Sequence, residues 1–453
     1  MPTADEYLLT LALPAQVEMI FDLLETAGFC VYAVGGCVRD ALLGKTPKDW
    51  DVCTNATPLQ VIAALRGLLV LKTGLQHGTV TAILDHRPYE ITTFRRDGDY
   101  VDHRRPASVT FTDDLVIDLG RRDFTVNAMA YHPRAGLVDP FLGQADLRAG
   151  VLRCVGDPAR RFEEDALRVL RALRFAAVLG FSLEPATGAA LLGAREGLQH
   201  VAAERLQAEL TKLLCGVNVR GVLLAYREVL FTVLPQLRPM SGFDQCSPWH
   251  CFDIWGHTCA AVEAAPPTPA LRWAALLHDC GKPACFFLRD GVGHFHGHPA
   301  VSEAIACEIF SHLRFPKRLG THISVLVRHH ELRLLEAPQE PARLRRLLGE
   351  LGQERLLELA ALMRADILAQ APKKRDRLAN YDTLCAQVQS LAQACVSRKQ
   401  LALKGSDLLP LRLQGPQLGQ MLRRLLEEVL EGRLLNEKKR LLAWAKQTLE
   451  DET

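Results

Sequence analysis

The first apolar positions to fall into step are Val17, Ile20, Phe21 and Leu24, spaced three and four apart along one face of a helix that stops at Gly28. The period then changes. FCVYAV (29–34) is a continuous apolar run of strand length that leads into Gly35 and Gly36, after which CVRDALLG returns to helical spacing and closes on a glycine. Strand-like runs recur at WDVC (50–53), VTAIL (80–84) and EITTF (90–94), which predicts one α/β unit built on a small sheet. Beyond about residue 145 the β-branched runs give way to Leu, Ala and Arg in helical periodicity almost to the end of the chain. Pro and Gly mark seams at LPQLRPMSG (234–242), APPTP (265–269) and APKKR (371–375). The expected class is α+β: a small α/β head over 1–146, then helical segments over 147–240, 241–370 and 371–453.

A length of 453 residues fits about three domains. Lys and Arg number 54 against 52 Asp and Glu, a net charge of +2, so contact with nucleic acid would have to come from local patches. With 48% hydrophobic and 23% charged residues the chain is expected to be globular, not disordered. The start lacks the basic stretch and apolar core of a signal peptide, and charges interrupt every apolar run before ~20 residues, so a cytoplasmic protein without membrane contact is expected. The 13 cysteines are odd in number and contain no CxxC pair, which points to reduced thiols. Cys246, His250 and Cys251 cluster, but read first as loop and core residues.

Gly35 and Gly36, between strand and helix, let the backbone approach a ligand closely and aim free N–H groups at an anion, with Arg39 one turn in. Taken alone, a glycine pair there is more often plain turn geometry. In KDWDV, Asp49 and Asp51 flank Trp50, and strand alternation points both carboxylates to one face. Two like charges side by side are costly unless divalent cations bridge them to phosphate oxygens. Glu90, opening EITTF, can complete the shell from a neighbouring strand; a solvated strand end is the plain alternative. Further on, Asp165, Arg168, Arg171 and Arg174 recur every three positions, so neighbours touch while the stripe drifts by ~60° per step. An ion-pair ladder would explain such a stripe by itself.

Six segments occur in order: GGCVRDALLG, KDWDVCTNATP, TGLQHGTVTAIL, DHRRPASVTF, RRDFTVNAMAY and RRFEEDALRVLRALRFAAVLGF. Over roughly residues 28 to 182 the chain resembles the class II tRNA nucleotidyltransferases, or CCA-adding enzymes. The resemblance implies a polymerase-beta-like nucleotidyltransferase head over 1–146 and a nucleotide-selecting helical neck over 147–240. It implies transfer of CMP and AMP from CTP and ATP to the 3′ end of tRNA, with pyrophosphate as product. By motif, Gly35, Gly36 and Arg39 would hold the triphosphate, Asp49, Asp51 and Glu90 would hold Mg2+, and Arg122 would meet the incoming nucleotide. Glu164 to Arg168 matches the family's EDxxR motif, with Arg171 and Arg174 extending it. An Asp–Arg pair has the chemistry for choosing between bases. The carboxylate accepts from the exocyclic amine of C or A and the guanidinium donates to the ring acceptor beside it, whereas U and G carry a carbonyl in place of the amine. Cys37 stands where Ala is commoner, and Trp50 separates the acids; neither change removes a liganding atom. The charged loop 95–109 corresponds to one that helps switch the family's pocket from C to A. The nearest rivals are an enzyme that adds only A and a bacterial poly(A) polymerase; HGTVT and the HDCGK region farther along the chain argue against the latter.

A second constellation comprises His257, His278–Asp279, His298, His329–His330 and Asp366 on successive helices, able to bind one or two transition metals. The HDCGK run resembles the HD phosphohydrolases, which implies a divalent metal on His257, His278, Asp279 and Asp366 within an HD-type domain over 241–370. A degenerate structural module is the alternative. In the tail, 371–453, an apolar helix face accompanies Arg423, Arg424, Lys438, Lys439 and Arg440. Such residues form a solvated face or, in a tRNA enzyme, contact phosphates by shape.

Overall fold

The computed structural model describes residues 11–72, 74–98, 108–392 and 396–451. The chain divides into two compact units, Met1–Pro235 and Gln236–Thr453.

The first unit opens with α1 (Ala15–Thr26), which buries Val17, Ile20, Phe21 and Leu24, the stripe its spacing predicts. There follow β1 (Val31–Val34), α2 (Gly36–Leu42), β2 (Val52–Thr54), α3 (Pro58–Ala64), β3 (Leu69–Leu71), β4 (Thr79–Leu84) and β5 (Arg87–Thr93). Next come β6 (Arg95–Asp97), β7 (Val109–Phe111), α4 (Leu115–Gly120), β8 (Ala130–His132), β9 (Gly136–Val138) and α5 (Gly143–Ala149). Seven strands form one sheet in the order β3-β4-β5-β2-β1-β8-β9, with β2 and β5 parallel and the other neighbours antiparallel. Strands β3, β8 and β9, of three residues each, are too short to carry alternation and were not expected. Two expected boundaries move. β2 starts at Val52, so Asp49 and Asp51 precede the strand instead of alternating along it, and Glu90 is the fourth residue of β5, not the first. The ladder still reaches Asp51, whose carbonyl accepts from the Val34 N–H at 3.0 Å. The ends of the expected 95–109 loop pair as β6 and β7; residues 99–107 lie outside the described residues.

Helices complete this unit: α6 (Pro158–Glu164), α7 (Leu167–Leu179), α8 (Pro185–Gly193), α9 (Ala203–Leu214), α10 (Val219–Ala225) and α11 (Arg227–Val233), with a short parallel pair, β10 (Val151–Leu152) and β11 (Ser182–Leu183). The single helix expected over the arginine stripe is two, because Asp165 adopts extended angles (φ −140°, ψ 103°) between α6 and α7.

The second unit holds α12 (Ile254–Ala264), α13 (Pro269–Leu277), α14 (Lys282–Cys285), α15 (His298–His312), α16 (Lys317–His329), α17 (Pro341–Leu351), α18 (Gln353–Ala369) and α19 (Tyr381–Leu391). Helix α12 buries nine of its eleven residues and packs on α13 and α18. Apart from His257, Thr258 and the exposed Glu263 it is apolar, as suits a central helix. Between α14 and α15 a hairpin, β12 (Phe287–Arg289) and β13 (Val292–His294), interrupts a stretch expected to be helical. Its turn is Asp290-Gly291, both with positive φ, the dipeptide that two-residue hairpins favour. The tail, α20 (Gly405–Leu408), α21 (Pro416–Glu431) and α22 (Lys438–Asp451), closes over Leu408, Met421, Leu425 and Leu441. Among the described residues no helix is long and apolar enough to cross a membrane.

Candidate active site

In the first unit a cavity of about 440 Å³ is lined by Gly35, Gly36, Arg39, Asp51, Arg122, Asp165, Arg168, Arg171 and Arg174, nine of the positions expected from sequence. Arg121, Asp123, Asn127, Phe175 and Arg205 share its wall and were not anticipated as site residues. Asp49 and Glu90 do not line it.

The glycine turn is built for close approach. Gly35 sits at φ +83°, ψ −128°, and a Cβ there would stand 2.9 Å from Arg122 Nη1, so the guanidinium fills the place of a side chain. Arg39 reaches inward from α2 and donates from Nη1 to Asn127 Oδ1 at 2.5 Å. Asp51 lies one residue ahead of the parallel pair Val52–Ile91, which sets it beside Glu90 on the adjacent strand. Although solvent reaches Asp51, protein crowds it enough that desolvation lifts its carboxyl above the usual range; Arg122 pulls it down, and Glu90 and Asp49 push it up again. That repulsion is what a divalent cation would relieve, and three carboxylates are the hard oxygen donors that suit Mg2+. Their ligand atoms are not gathered within 4.8 Å of one another, as those of two sets in the second unit are. Beneath the acids, Trp50 is buried, and the buried Cys37 Sγ donates to the Val34 carbonyl at 3.3 Å, its pKa pushed up to about 11 by burial.

Glu164, at the end of α6, gathers Arg160 (3.4 Å), Arg161 (2.8 Å) and Arg168 (2.6 Å). Arg168 also donates to the carbonyls of Arg161 and Arg121. Its carboxylate partner is therefore Glu164, while Asp165 Oδ1 accepts from the Leu167 N–H at 3.1 Å and Oδ2 from Arg205 at 3.4 Å. Arg171 grips Asp123 Oδ2 through Nε (2.8 Å) and Nη2 (2.5 Å). Burial pushes that carboxyl up, but Arg171, Asn127 and Arg168 prevail and hold it at about 2. The expected drift of the stripe does not carry Arg174 away from the site. Arg174, Arg39 and Arg171 all lie over the Phe175 ring, at 3.9, 5.2 and 5.5 Å from its centroid, and all face one cavity.

The second unit brings its histidines together as well. His257, His278 and Asp366 form one set with ligand atoms within 4.8 Å, and Asp279, His298 and His330 form another. Asp279 spans them: Oδ2 lies 3.2 Å from His278 Nε2 and 3.4 Å from His257 Nε2, and Oδ1 lies 3.2 Å from His298 Nε2. The Nδ1 atoms of His278, His298 and His330 are tied to the carbonyls of Ala275, Phe295 and Val327 at 2.7–2.9 Å, which turns each Nε2 inward, those of His298 and His330 to within 3.0 Å of each other. His257 Nε2, His278 Nε2 and Asp279 Oδ2 are buried without a hydrogen bond of good geometry. Asp279 Oδ2 is ion-paired with Lys282 Nζ at 2.7 Å, and the imidazole nitrogens beside it are of the chemistry that fits a transition metal. His330 belongs to the set and His329 does not; Lys282, 2.7 Å from Asp279, was not anticipated. Cys246 and Cys251 belong to neither set, and His250 stacks edge-on against His257 at 4.9 Å. In the tail, Lys438 pairs with Asp407 and Arg440 with Glu437.

Family models match three stretches: "Poly A polymerase head domain" over 31–153, "Probable RNA and SrmB- binding site of polymerase A" over 180–240, and "tRNA nucleotidyltransferase domain 2 putative" over 301–445. The CCA-adding enzyme of Levilactobacillus brevis is 34% identical over 436 residues, 95% of this chain and 98% of that one. That of Enterococcus faecalis is 32% identical over 431 residues, 93% of each. Among solved structures, the Bacillus stearothermophilus CCA-adding enzyme in complex with CTP superposes with a TM-score of 0.73 at 28% identity, covering 97% of this chain and 99% of that one. The Thermotoga maritima CCA-adding enzyme complexed with tRNA, at 21% identity and a TM-score of 0.56 over 98% and 97% of the two chains, shares the fold. With relatives above 30% identity along nearly their whole length, the chain belongs to the family of CCA-adding enzymes, the class II tRNA nucleotidyltransferases.

Proposed function

We propose that the protein adds CMP and AMP, drawn from CTP and ATP, to the 3′ end of tRNA without a nucleic-acid template. The observation that carries this reading is the cavity itself, where arginines from α2, the Arg122 turn and α7 surround a recess that also holds Asp51 and Asp165. A triphosphate matches the arginine-rich wall. Gly35, Gly36, Arg39 and Arg122 hold its phosphates, and Arg171 and Arg174 add positive charge. Asp165 accepts from the exocyclic amine of cytosine or adenine, and Arg168 donates to the neighbouring ring acceptor. Uracil and guanine would set a carbonyl oxygen against that carboxylate. Asp49, Asp51 and Glu90 would hold divalent cations such as Mg2+, which would supply neutralising charge to the phosphates and lower the pKa of the attacking hydroxyl. The 3′-hydroxyl of tRNA loses its proton to solvent, its oxygen bonds to the α-phosphorus as the bond to the bridging oxygen breaks, and pyrophosphate leaves.

We assign 1–146 to the catalytic head, 147–240 to the selecting neck, 241–370 to the HD-type domain and 371–453 to a tail that meets tRNA phosphates through Arg423, Arg424 and Lys439. Labelled nucleotides supplied to tRNAs lacking A, CA and CCA test the activity. CMP should enter the two shorter substrates, AMP should follow on a CC end, and UTP and GTP should be refused. Use of ATP alone would identify an A-adding enzyme, and unlimited AMP addition a poly(A) polymerase.

The paired His/Asp sets favour a second activity, a metal-dependent phosphohydrolase in the second unit. His257, His278 and Asp366 would hold one divalent transition metal and Asp279, His298 and His330 a second. Metal content after dialysis against Mn2+ or Ni2+, together with release of phosphate from phosphoesters, tests it.

A further inference from the structure

The carboxylate expected to read the base is held from outside its own helices. The terminal torsion of an aspartate is broad, so the plane of its carboxylate is fixed only by the partners of its two oxygens. At the break between α6 and α7 one oxygen of Asp165 is taken by the Leu167 amide at 3.1 Å. The other lies 3.4 Å from Nη2 of Arg205, which reaches over from α9. Both side chains are partly shielded, 16% exposed for Asp165 and 31% for Arg205, and both line the cavity. Four residues on, the same face of α9 presents Glu209, whose Oε2 lies 2.8 Å from Arg174 Nε. One face of α9 therefore grips the start and the end of the selecting stripe. Arg205 Nη1 is buried and meets no hydrogen-bond acceptor among the described residues, so Asp165 is the carboxylate this guanidinium serves.

We propose that Arg205 is a positioning residue for base selection, setting the plane of the Asp165 carboxylate so that a free lone pair meets the exocyclic amine of cytosine or adenine. The inference rests on the proposed nucleotide addition. Selection fails when the acceptor swings, even though the acceptor is still present. Removing Arg205 should then resemble a partial loss of Asp165, leaving the metal-binding acids untouched.

The test compares kcat/KM for CTP, UTP, ATP and GTP, on tRNA lacking CCA and tRNA lacking A, in the wild type, Arg205→Met, Arg205→Lys, Asp165→Ala and the double variant Asp165→Ala/Arg205→Met. Methionine keeps the buried stem and removes the charge; lysine keeps the charge and removes the fork. Arg205→Met should lower the C-over-U and A-over-G ratios about tenfold, the low end of what one base contact contributes. Arg205→Lys should be intermediate, and it carries the test if the methionine variant melts early. In the Asp165→Ala background, removing Arg205 should change the ratios no further. Equal losses for all four nucleotides in both Arg205 variants, with the ratios unchanged, would overturn the proposal, as would a full further drop in the double variant. A wild-type enzyme that adds no CMP at all would instead reject the activity on which the proposal rests.

Discussion

Replacing Gly35 with alanine should harm the phosphate end of the cavity more than it harms the fold. Gly35 is held at φ +83°, ψ −128°, a conformation that a side chain adopts only at a cost of order 1–3 kcal/mol. The new Cβ would also stand 2.9 Å from Arg122 Nη1. Because that atom is the end of a flexible side chain, the guanidinium moves and the backbone stays. The clash becomes a displaced cation. Gly28 offers the control: it has φ +87° and nothing within 4 Å of where its Cβ would be, so Gly28→Ala carries backbone strain alone. In a unit of this size each kcal/mol lowers Tm by ~2–4 °C, so both variants should melt roughly 2–12 °C below the wild type. Steady-state CMP transfer should separate them. Gly28→Ala should keep its KM for CTP, whereas losing one charge-assisted contact to phosphate, worth ~1.5–3 kcal/mol, should raise the KM of Gly35→Ala about 10- to 150-fold for CTP and ATP alike. A Gly35→Ala enzyme with wild-type KM values and the same Tm loss as Gly28→Ala would mean that Arg122 does not touch the nucleotide.

Asp49→Ala and Asp51→Ala should each abolish transfer of both nucleotides while gel-shift binding of tRNA persists; near-normal CMP addition by either would end the metal assignment. Asp279→Ala should remove metal retained by the second unit, and with it any metal-dependent phosphoester hydrolysis, yet leave CMP and AMP addition intact. If addition collapses in a folded variant, the two chemistries are not separate. Asp123, held at about 2 against an ordinary 3.8, stabilises the fold above its unfolded pKa and loses that contribution as pH falls from about 4 to about 2. Asp123→Asn should flatten that part of the acid-unfolding curve by about 2 kcal/mol, and an unchanged slope would show that Arg171 does not hold the charge in solution.

How much of the fold is legible in the sequence depends on how local each signal is. The stripe of α1 and the strand-to-helix turn at Gly35 depend on residues a few positions apart, so periodicity and glycine placement predict them. Three-residue strands such as β8 give no alternation to read, and their place in the sheet comes from partners far along the chain. The DG turn of the β12–β13 hairpin is visible in the sequence but is outweighed by the helical stretch around it. In the cavity, side chains with a local motif are legible and those placed by packing are not. Nothing near Arg205 marks it, because its partner lies 40 residues earlier. Spacing also misleads over the arginine stripe. Its drift holds only for one straight helix, whereas the extended residue at Asp165 re-aims α7, and the Phe175 ring gathers guanidiniums from α2 and α7 onto one wall.

Seven arginines and three aspartates line this cavity, an imbalance that would drive the guanidiniums apart were each not held. Arg171 is held by Asp123, Arg168 by Glu164, Arg174 by Glu209, Arg121 by Asp118 and Arg39 by Asp40 and Asn127. Arg174 bears the strain most openly: burial and the nearby Arg171 and Arg39 lower its pKa, with Glu209 and Asp123 pulling the other way. A polyanion entering such a site relieves repulsion at every arginine at once, whichever base it carries. That stabilisation is common to CTP, ATP, UTP and GTP, so it can supply affinity but no preference, because specificity is a difference between affinities. Preference has to come from a group that meets the bases differently. In the proposed pocket Asp165 would be such a group: an acceptor facing an amine in C and A and a carbonyl in U and G. On that proposal its value to selection depends on its orientation, and fidelity would rest on the few contacts that hold one carboxylate still, the Leu167 amide and Arg205.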